Sequence, residues 1–477
     1  MRYSTALLPL VATATAIVIP DDATAKQLIF ETKQKAEKTV SSWWDNLPTV
    51  DDIFSSVEKQ ASKLGSLVPD VEYDISELPD FLSPSDYSSS SSSSSKPPGH
   101  GHHWPPRSTN LTIYEAIQAS NYTKKFAALV DDFPDIVQKL NSTSAGNVTA
   151  LIPTDHAFEK IPHHGKGHKG HKPPKEFIEK ILEYHVLPGL YPAGRVLAHH
   201  TLPTALEEEA LGGRPQRVRV SVGLFGLKLN FYSKVVFANL FTKNGVLHGI
   251  DSILVPPPPV ERVISLFPSK FSTLSLAAEK TGFTHHHAKH LSSSPSDTDE
   301  GHLTGLTLFA PTNRAFQKLG PRANAFLFNT PKGLHFLKAL LAYHVVANET
   351  LYSDAYYGKK KESDGDEDGA EEGSKGAKHL HLDLPTLLDD KHIAVDIDRW
   401  FGFIKIKLNG HVAVAIQDGL ARDGVVQVLD SVLIPPHPHK GFWNDEVDGE
   451  IDVQELVERL QPYVENEKEK EVEVGEL

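Results

Sequence analysis

Residues 149–162 read TALIPTDHAFEKIP, and residues 307–320 read TLFAPTNRAFQKLG. In each stretch a short apolar run, Leu151-Ile152 or Leu308-Phe309, leads to a proline, Pro153 or Pro311. Proline cannot donate to a sheet ladder, so the pattern marks a strand reaching its end. Thr154 or Asp155, and Thr312 or Asn313, then offer side-chain oxygens that cap a helix by accepting from its free N–H groups. Ala157, Phe158 and Ile161, matched by Ala315, Phe316 and Leu319, share one face at helical spacing. Each stretch therefore reads as strand, kink and capped helix.

The downstream landmarks repeat as well. The first stretch leads to Tyr184-His185-Val186, then to Asn244-Gly245-Val246, Ile250-Asp251-Ser252 and Leu254-Val255-Pro256. The second leads to Tyr343-His344-Val345, then to Asp423-Gly424-Val425, Leu429-Asp430-Ser431 and Leu433-Ile434-Pro435. The same landmarks in the same order, twice, indicate tandem copies of one unit. Asn244-Gly245 reads as the turn of a hairpin. The combination resembles the fasciclin domain family: a strand–helix Ala-Pro-Thr segment, a central Tyr-His, and a closing G-x-x-x-x-I-D-x-x-L-x-P strand. The resemblance implies an α+β fold with two tandem fasciclin-like β-wedge domains and packed helices, over 108–257 and 259–436. It also implies adhesion or matrix binding, and it nominates Tyr184, His185, Tyr343 and His344 as binding residues. Read from their chemistry alone, the same pairs close a helix and pack inward, because a buried imidazole needs a satisfied partner. At this level both readings are open.

The chain has 477 residues, no cysteine and a formal net charge of −14. Two domains of this size bury a core without staples. Without cysteine, thiolate catalysis and Cys-ligated zinc are excluded, and a secreted form is held by its core alone. The acidic balance argues against a nucleic-acid partner, which calls for a basic face. Arg2, the apolar run Ala6–Ile19 and the small residues ending at Ala16 read as a signal peptide over 1–16. The run is too short to span a bilayer, and no other segment is long and apolar enough, so no transmembrane segment is expected after signal cleavage.

Residues 17–107 read as an N-terminal extension and a Ser/Pro/His-rich linker, with eight serines from Ser88 to Ser95. Residues from about 359 to 378 read as a disordered acidic insert in the second domain. Residues 437–477 form a C-terminal tail in which Val453, Leu456, Val457 and Leu460 share a helical face. N-glycosylation triplets begin at Asn110, Asn121, Asn141, Asn147 and Asn348.

No motif carries catalysis. Histidines cluster at His100/His102/His103, His163/His164/His168/His171, His285/His286/His287/His290, His379/His381 and His437/His439. They read as solvated loops with no carboxylate in register to orient a ligand set, so no metal and no cofactor is assigned. Asp364–Gly369 opens like a calcium loop but has Lys375 at the twelfth position, where a bidentate Glu is needed. Asn444–Glu455 comes closer but lacks an entering helix. Gly165–Gly170 matches a dinucleotide pattern by letter, with no strand leading in. The expectation is a secreted, non-enzymatic glycoprotein that binds an extracellular or cell-surface protein or glycan. The alternative is a structural or sorting protein of a vacuolar or endomembrane lumen, with pH- or metal-responsive His-rich loops.

Overall fold

The computed structural model describes residues 107–144, 146–160, 173–223, 226–283, 304–358, 378–388, 391–400, 403–436 and 450–475. The expected signal peptide, the extension and linker up to 106, the insert over 359–377 and the calcium-like pattern up to 449 lie outside these residues. So do Ile161 and every histidine cluster except His379/His381.

The first domain opens with β1 (Arg107–Ser108) and the helices α1 (Ile113–Ala119), α2 (Lys124–Asp131) and α3 (Pro134–Asn141). Thr112 starts α1 through a capping box: its hydroxyl accepts from Glu115 N–H, and the Glu115 carboxylate accepts from Thr112 N–H. Pro134 sits at the start of α3, where a missing N–H costs nothing. Ile113, Ile117, Phe126, Val130, Ile136 and Leu140 turn their helix faces onto Ala150 and Ile152. The organising stretch comes next as β2 (Val148–Pro153) and α4 (Asp155–Glu159). After it come α5 (Lys175–Tyr184), β3 (Val186–Pro188), α6 (Ala193–Leu197), β4 (Thr201–Glu208), β5 (Arg214–Gly223), β6 (Gly226–Leu229), β7 (Ser233–Thr242) and β8 (Gly245–Ile250).

The second domain repeats the plan. It has α7 (Val260–Leu266), α8 (Pro268–Thr281), β9 (Leu306–Pro311), α9 (Asn313–Lys318), α10 (Pro321–Asn329) and α11 (Pro331–Tyr343). It continues with β10 (Val345–Ala347), β11 (Thr350–Leu351), β12 (Tyr356–Tyr357), β13 (Lys378–Pro385), β14 (His392–Trp400), β15 (Phe403–Leu408), β16 (Val412–Ala421) and β17 (Gly424–Leu429). The sheets run β3-β2-β8-β7-β6-β5-β4 and β10-β9-β17-β16-β15-β14-β13, one path used twice. β2 lies parallel to β8, and β9 to β17, so each organising strand is flanked by its own closing strand. Among the described residues no buried apolar cluster draws on both domains. The expected α+β tandem is therefore the observed one.

Three details differ from the sequence reading. The tail is not separate from the second core. Its helix, α12 (Val453–Gly475), buries Leu456, Leu460 and Val464 among the residues of that core. Asp155 caps a helix, but not the one it begins, and Asn313 bonds into the first turns of another helix instead of capping its own. Asp155 Oδ1 accepts from Lys125 N–H of α2 and Asn313 Oδ1 from Thr273 N–H of α8, both at 2.8 Å. His379 and His381 lie in β13 and not in a loop.

The hairpin turn also falls one residue earlier than Asn244-Gly245. Thr242 pairs with Gly245 and Ala421 with Gly424, so Lys243-Asn244 and Arg422-Asp423 make the turns. The glycines serve close approach instead. A Cβ on Gly245 would stand 1.8 Å from Val148 O, and one on Gly424 2.1 Å from Leu306 O. Both obstacles are backbone of the neighbouring parallel strand and have no rotamer to yield. Gly245→Ala in the full chain is expected to destabilise the first domain by about 3 kcal/mol, the upper end of overpacking costs. A urea midpoint equal to that of the wild type would show that the strands do not approach in this way.

Candidate functional site

The four nominated residues stand at equivalent points in the two domains. His185 follows the last turn of α5, and its side chain is fully buried. Its Nδ1 lies 2.6 Å from Ile181 O, an end carbonyl of the helix, and its Nε2 lies 3.0 Å from Leu254 N of the closing segment. A carbonyl can only accept and a backbone N–H can only donate, so Nδ1 carries the hydrogen and Nε2 accepts. His344 repeats this with Leu340 O at 2.8 Å and Leu433 N at 2.9 Å. Burial pushes both imidazoles down to about 4, so each ring is neutral in the folded protein.

The tyrosines point the other way, into the sheet. Tyr184 donates to Arg217 O at 2.8 Å and accepts from Asn230 Nδ2 at 2.8 Å. Tyr343 donates to His392 O and accepts from Asn409 Nδ2 at 3.0 Å. Asn230 and Asn409 both take positive φ, 47° and 49°, a conformation Asn tolerates better than most residues. The repeated triplets Lys228-Leu229-Asn230 and Lys407-Leu408-Asn409 were the sequence signal for these partners. Thus the structure places all four nominated side chains inside the domains, where they join helix end, closing strand and hairpin. None of them presents a surface for direct contact.

A second polar constellation lies between the domains, and the sequence reading did not find it. Asp354, between β11 and β12, accepts from His200 N–H at 2.9 Å and Thr201 N–H at 2.7 Å, and from the Thr201 hydroxyl. Arg217 of β5 donates from Nε to Thr201 Oγ1 at 2.6 Å and from Nη2 to Thr201 O at 3.1 Å. Its Nη2 is 3.8 Å from Asp354 Oδ1, and its guanidinium lies over the rings of Tyr352 and Tyr357. Around this pair, Gln216 donates to Ala421 O at 3.0 Å, Arg219 to Gln417 O at 3.0 Å and Arg214 to Gly358 O at 2.7 Å. Asp418, fully buried, accepts from Ser353 N–H at 2.7 Å and from the Ser353 hydroxyl. Burial and then Asp354 push the Asp418 carboxyl up. These groups clamp one domain on the other. Among the described residues no group of three or more His, Asp or Glu side chains is placed to hold a metal ion.

The fasciclin domain profile matches residues 121–256 and 269–435. Aurofusarin biosynthesis cluster protein S of Gibberella zeae is 30% identical over 394 residues, 76% of this chain and 88% of that protein. Stabilin-2 of Mus musculus is 30% identical over 172 residues, 35% of this chain but 6% of its own length. Transforming growth factor-beta-induced protein ig-h3 of Sus scrofa is 28% identical over 216 residues, 45% of this chain and 26% of its own length. Among solved structures, a FAS1 domain pair from the insect cell adhesion molecule Fasciclin I covers 65% of this chain and 96% of its own, at 17% identity and a TM-score of 0.29.

Proposed function

The chain belongs to the fasciclin domain family, and on that premise we propose that it is a secreted, non-enzymatic adhesion or matrix-binding glycoprotein. Its partner is an extracellular or cell-surface protein or glycan, engaged through surface patches of both modules. The observation that carries this reading is the pairing of two family modules through a buried polar clamp. A fixed pair presents two faces in one geometry, and avidity arises when both reach the same partner. The Tyr184–His185 and Tyr343–His344 nodes serve this role from below, by holding the helix ends beneath those faces. No described helix is long and apolar enough to cross a membrane.

The experiment is retention of the full chain, expressed through its own signal, on cells and on extracellular matrix preparations. Binding that falls when the clamp is broken supports the reading, and no retention on either surface removes it. Four of the glycosylation triplets start at exposed side chains, Asn110, Asn121, Asn141 and Asn147. Asn348 is half-buried at φ 63°, with its Oδ1 accepting from Thr304 N–H. Mass spectrometry after enzymatic sugar release is expected to mark the first four and leave Asn348 bare. An N-terminus at Ile17 in the same preparation would establish the cleaved signal.

The 88% coverage of the aurofusarin cluster protein favours a second reading. In it the same rigid pair serves a biosynthetic assembly as a non-catalytic binding module. Deletion of the gene would then change a secreted metabolite and leave surface attachment intact.

A further inference from the structure

The helices of the second domain carry the opposite sign to the chain as a whole. α7 to α11 hold eight Lys and Arg side chains against two acidic ones, Glu261 and Glu279. α1 to α6 of the first domain hold six against eight, and the whole chain has a net charge of −14. Cations gathered on the helices of an acidic protein set up a local field that draws anions.

An open groove of about 410 Å³, within the size range of ligand sites, lies among α8, α9 and α10. Phe316 of α9 and Phe328 of α10 line it, with ring centroids 5.9 Å apart and one edge toward the other face. Leu276 of α8 also lines it and is 44% exposed, although apolar. Thr273, Leu276 and Lys280 follow one another at helical spacing. Lys280 Nζ donates to Phe328 O at 3.0 Å, which sets the ammonium at one end of the groove. An ammonium has three donors, and this carbonyl takes one. Arg314 and Arg322, both exposed, adjoin the lining residues Asn313 and Pro321. Glu450 stands at the other end, beside Gly320. Asn324 of α10 lines the groove too. Its Nδ2 donates to Phe316 O at 2.6 Å and to Gly320 O at 2.9 Å, which uses both hydrogens and fixes the amide. Its Oδ1 is then buried with no donor among the described residues.

We propose that this groove docks an acidic peptide segment with an aromatic anchor, presented by a partner protein. The ring packs against Leu276, Phe316 and Phe328. A phenol hydroxyl or a peptide N–H supplies the donor that Asn324 Oδ1 lacks. The acidic flanks meet Lys280, Arg314 and Arg322, so the charges of the two sides are complementary. A polyanionic glycan matches the charges but brings no apolar anchor for the aromatic lining. In the first domain α4 has Glu159 where α9 has Gln317, one of the lining residues. A carboxylate there repels an acidic segment, so the site belongs to the second domain. The inference rests on the reading of the chain as a binding module and gives one of its partners a chemistry.

The test is fluorescence anisotropy of the purified full chain with two labelled probes of equal length, a copolymer of glutamate and tyrosine, and polyglutamate alone. The copolymer is expected to bind about tenfold more tightly, the effect of one seated anchor. Leu276→Gln, at an exposed position, should remove that difference, and Lys280→Gln should weaken the binding of both probes. Equal binding of the two probes overturns the proposal, as does a preference for the copolymer that survives Leu276→Gln. Self-association of the chain that Leu276→Gln abolishes also overturns it, since a second copy is then the occupant. The assay uses neither cells nor matrix, so a negative result leaves the retention experiment to be judged separately.

Discussion

Asp354→Ala is expected to turn one cooperative unfolding event into two. The substitution leaves the Arg217 guanidinium buried without its carboxylate, a loss on the order of 3–5 kcal/mol for a desolvated pair. It also orphans three donors on His200 and Thr201. The loss falls on the junction and not on either core, because among the described residues no buried apolar cluster spans the two domains. Calorimetry of the wild type should give one transition, and that of the variant two, with the inter-domain distance by fluorescence transfer broadened. Replacing both charges with apolar residues of similar size, Arg217→Met with Asp354→Leu, should recover only the part due to the unpaired guanidinium, since the donors on His200 and Thr201 stay without their acceptor. A single unchanged transition in Asp354→Ala would mean that the clamp does not hold the domains. The cell-retention experiment would then lose its structural basis.

The second large effect is acid sensitivity. His185, His248 and His344 are buried and neutral, each held down at about 4 chiefly by burial. His248 uses the opposite tautomer, with Nε2 toward Tyr191 O at 2.8 Å and Nδ1 accepting from Asn239 N–H. A second proton on any of these rings would set N–H against N–H. The folded value lies below the unfolded 6.5, so their contribution is complete above pH 6.5 and is lost as pH falls toward 4. Each shift is worth about 3 kcal/mol, and a domain has only about 5–15 kcal/mol in total. Burial raises Asp418, Asp423 and Glu208, which works in the opposite direction and offsets part of the loss. The midpoint of thermal unfolding is therefore expected to fall between pH 6.5 and 4.

The repeat supplies its own control. Gln427 stands where His248 stands in the other domain, donating to Leu351 O at 2.8 Å and accepting from Asp418 N–H at 3.1 Å. His248→Gln should keep both bonds and remove about one proton from the uptake on unfolding near pH 5. Proton uptake unchanged in that variant would sink the assignment. A fold that weakens in acid supports the extracellular reading over the lumen of an acidic compartment.

The tandem plan was legible in local pattern. Pro153 and Pro311, the Tyr-His pairs and the closing apolar strands act within a few residues of themselves, and the recurrence of all of them exposes the duplication. Even the partners of the tyrosines left a trace in the repeated Lys-Leu-Asn. Partner choice was the illegible part. Asp155 looked like the cap of its own helix and caps α2, 30 residues earlier, because packing brings that N-terminus to it. Gly245 looked like a turn residue, and its need comes from a strand almost a hundred residues upstream.

What this chain's residues determined by themselves was which segments of the repeated unit are strand or helix, because propensity and alternation are short-range effects. The tertiary structure alone decided which charges meet. Asp354 finds Arg217, and His379 and His381 find Asp396 and Asp398, through domain docking and strand register. Residues far apart in the chain become neighbours only when two cores have formed and a sheet has chosen its order, and no local energy term encodes that.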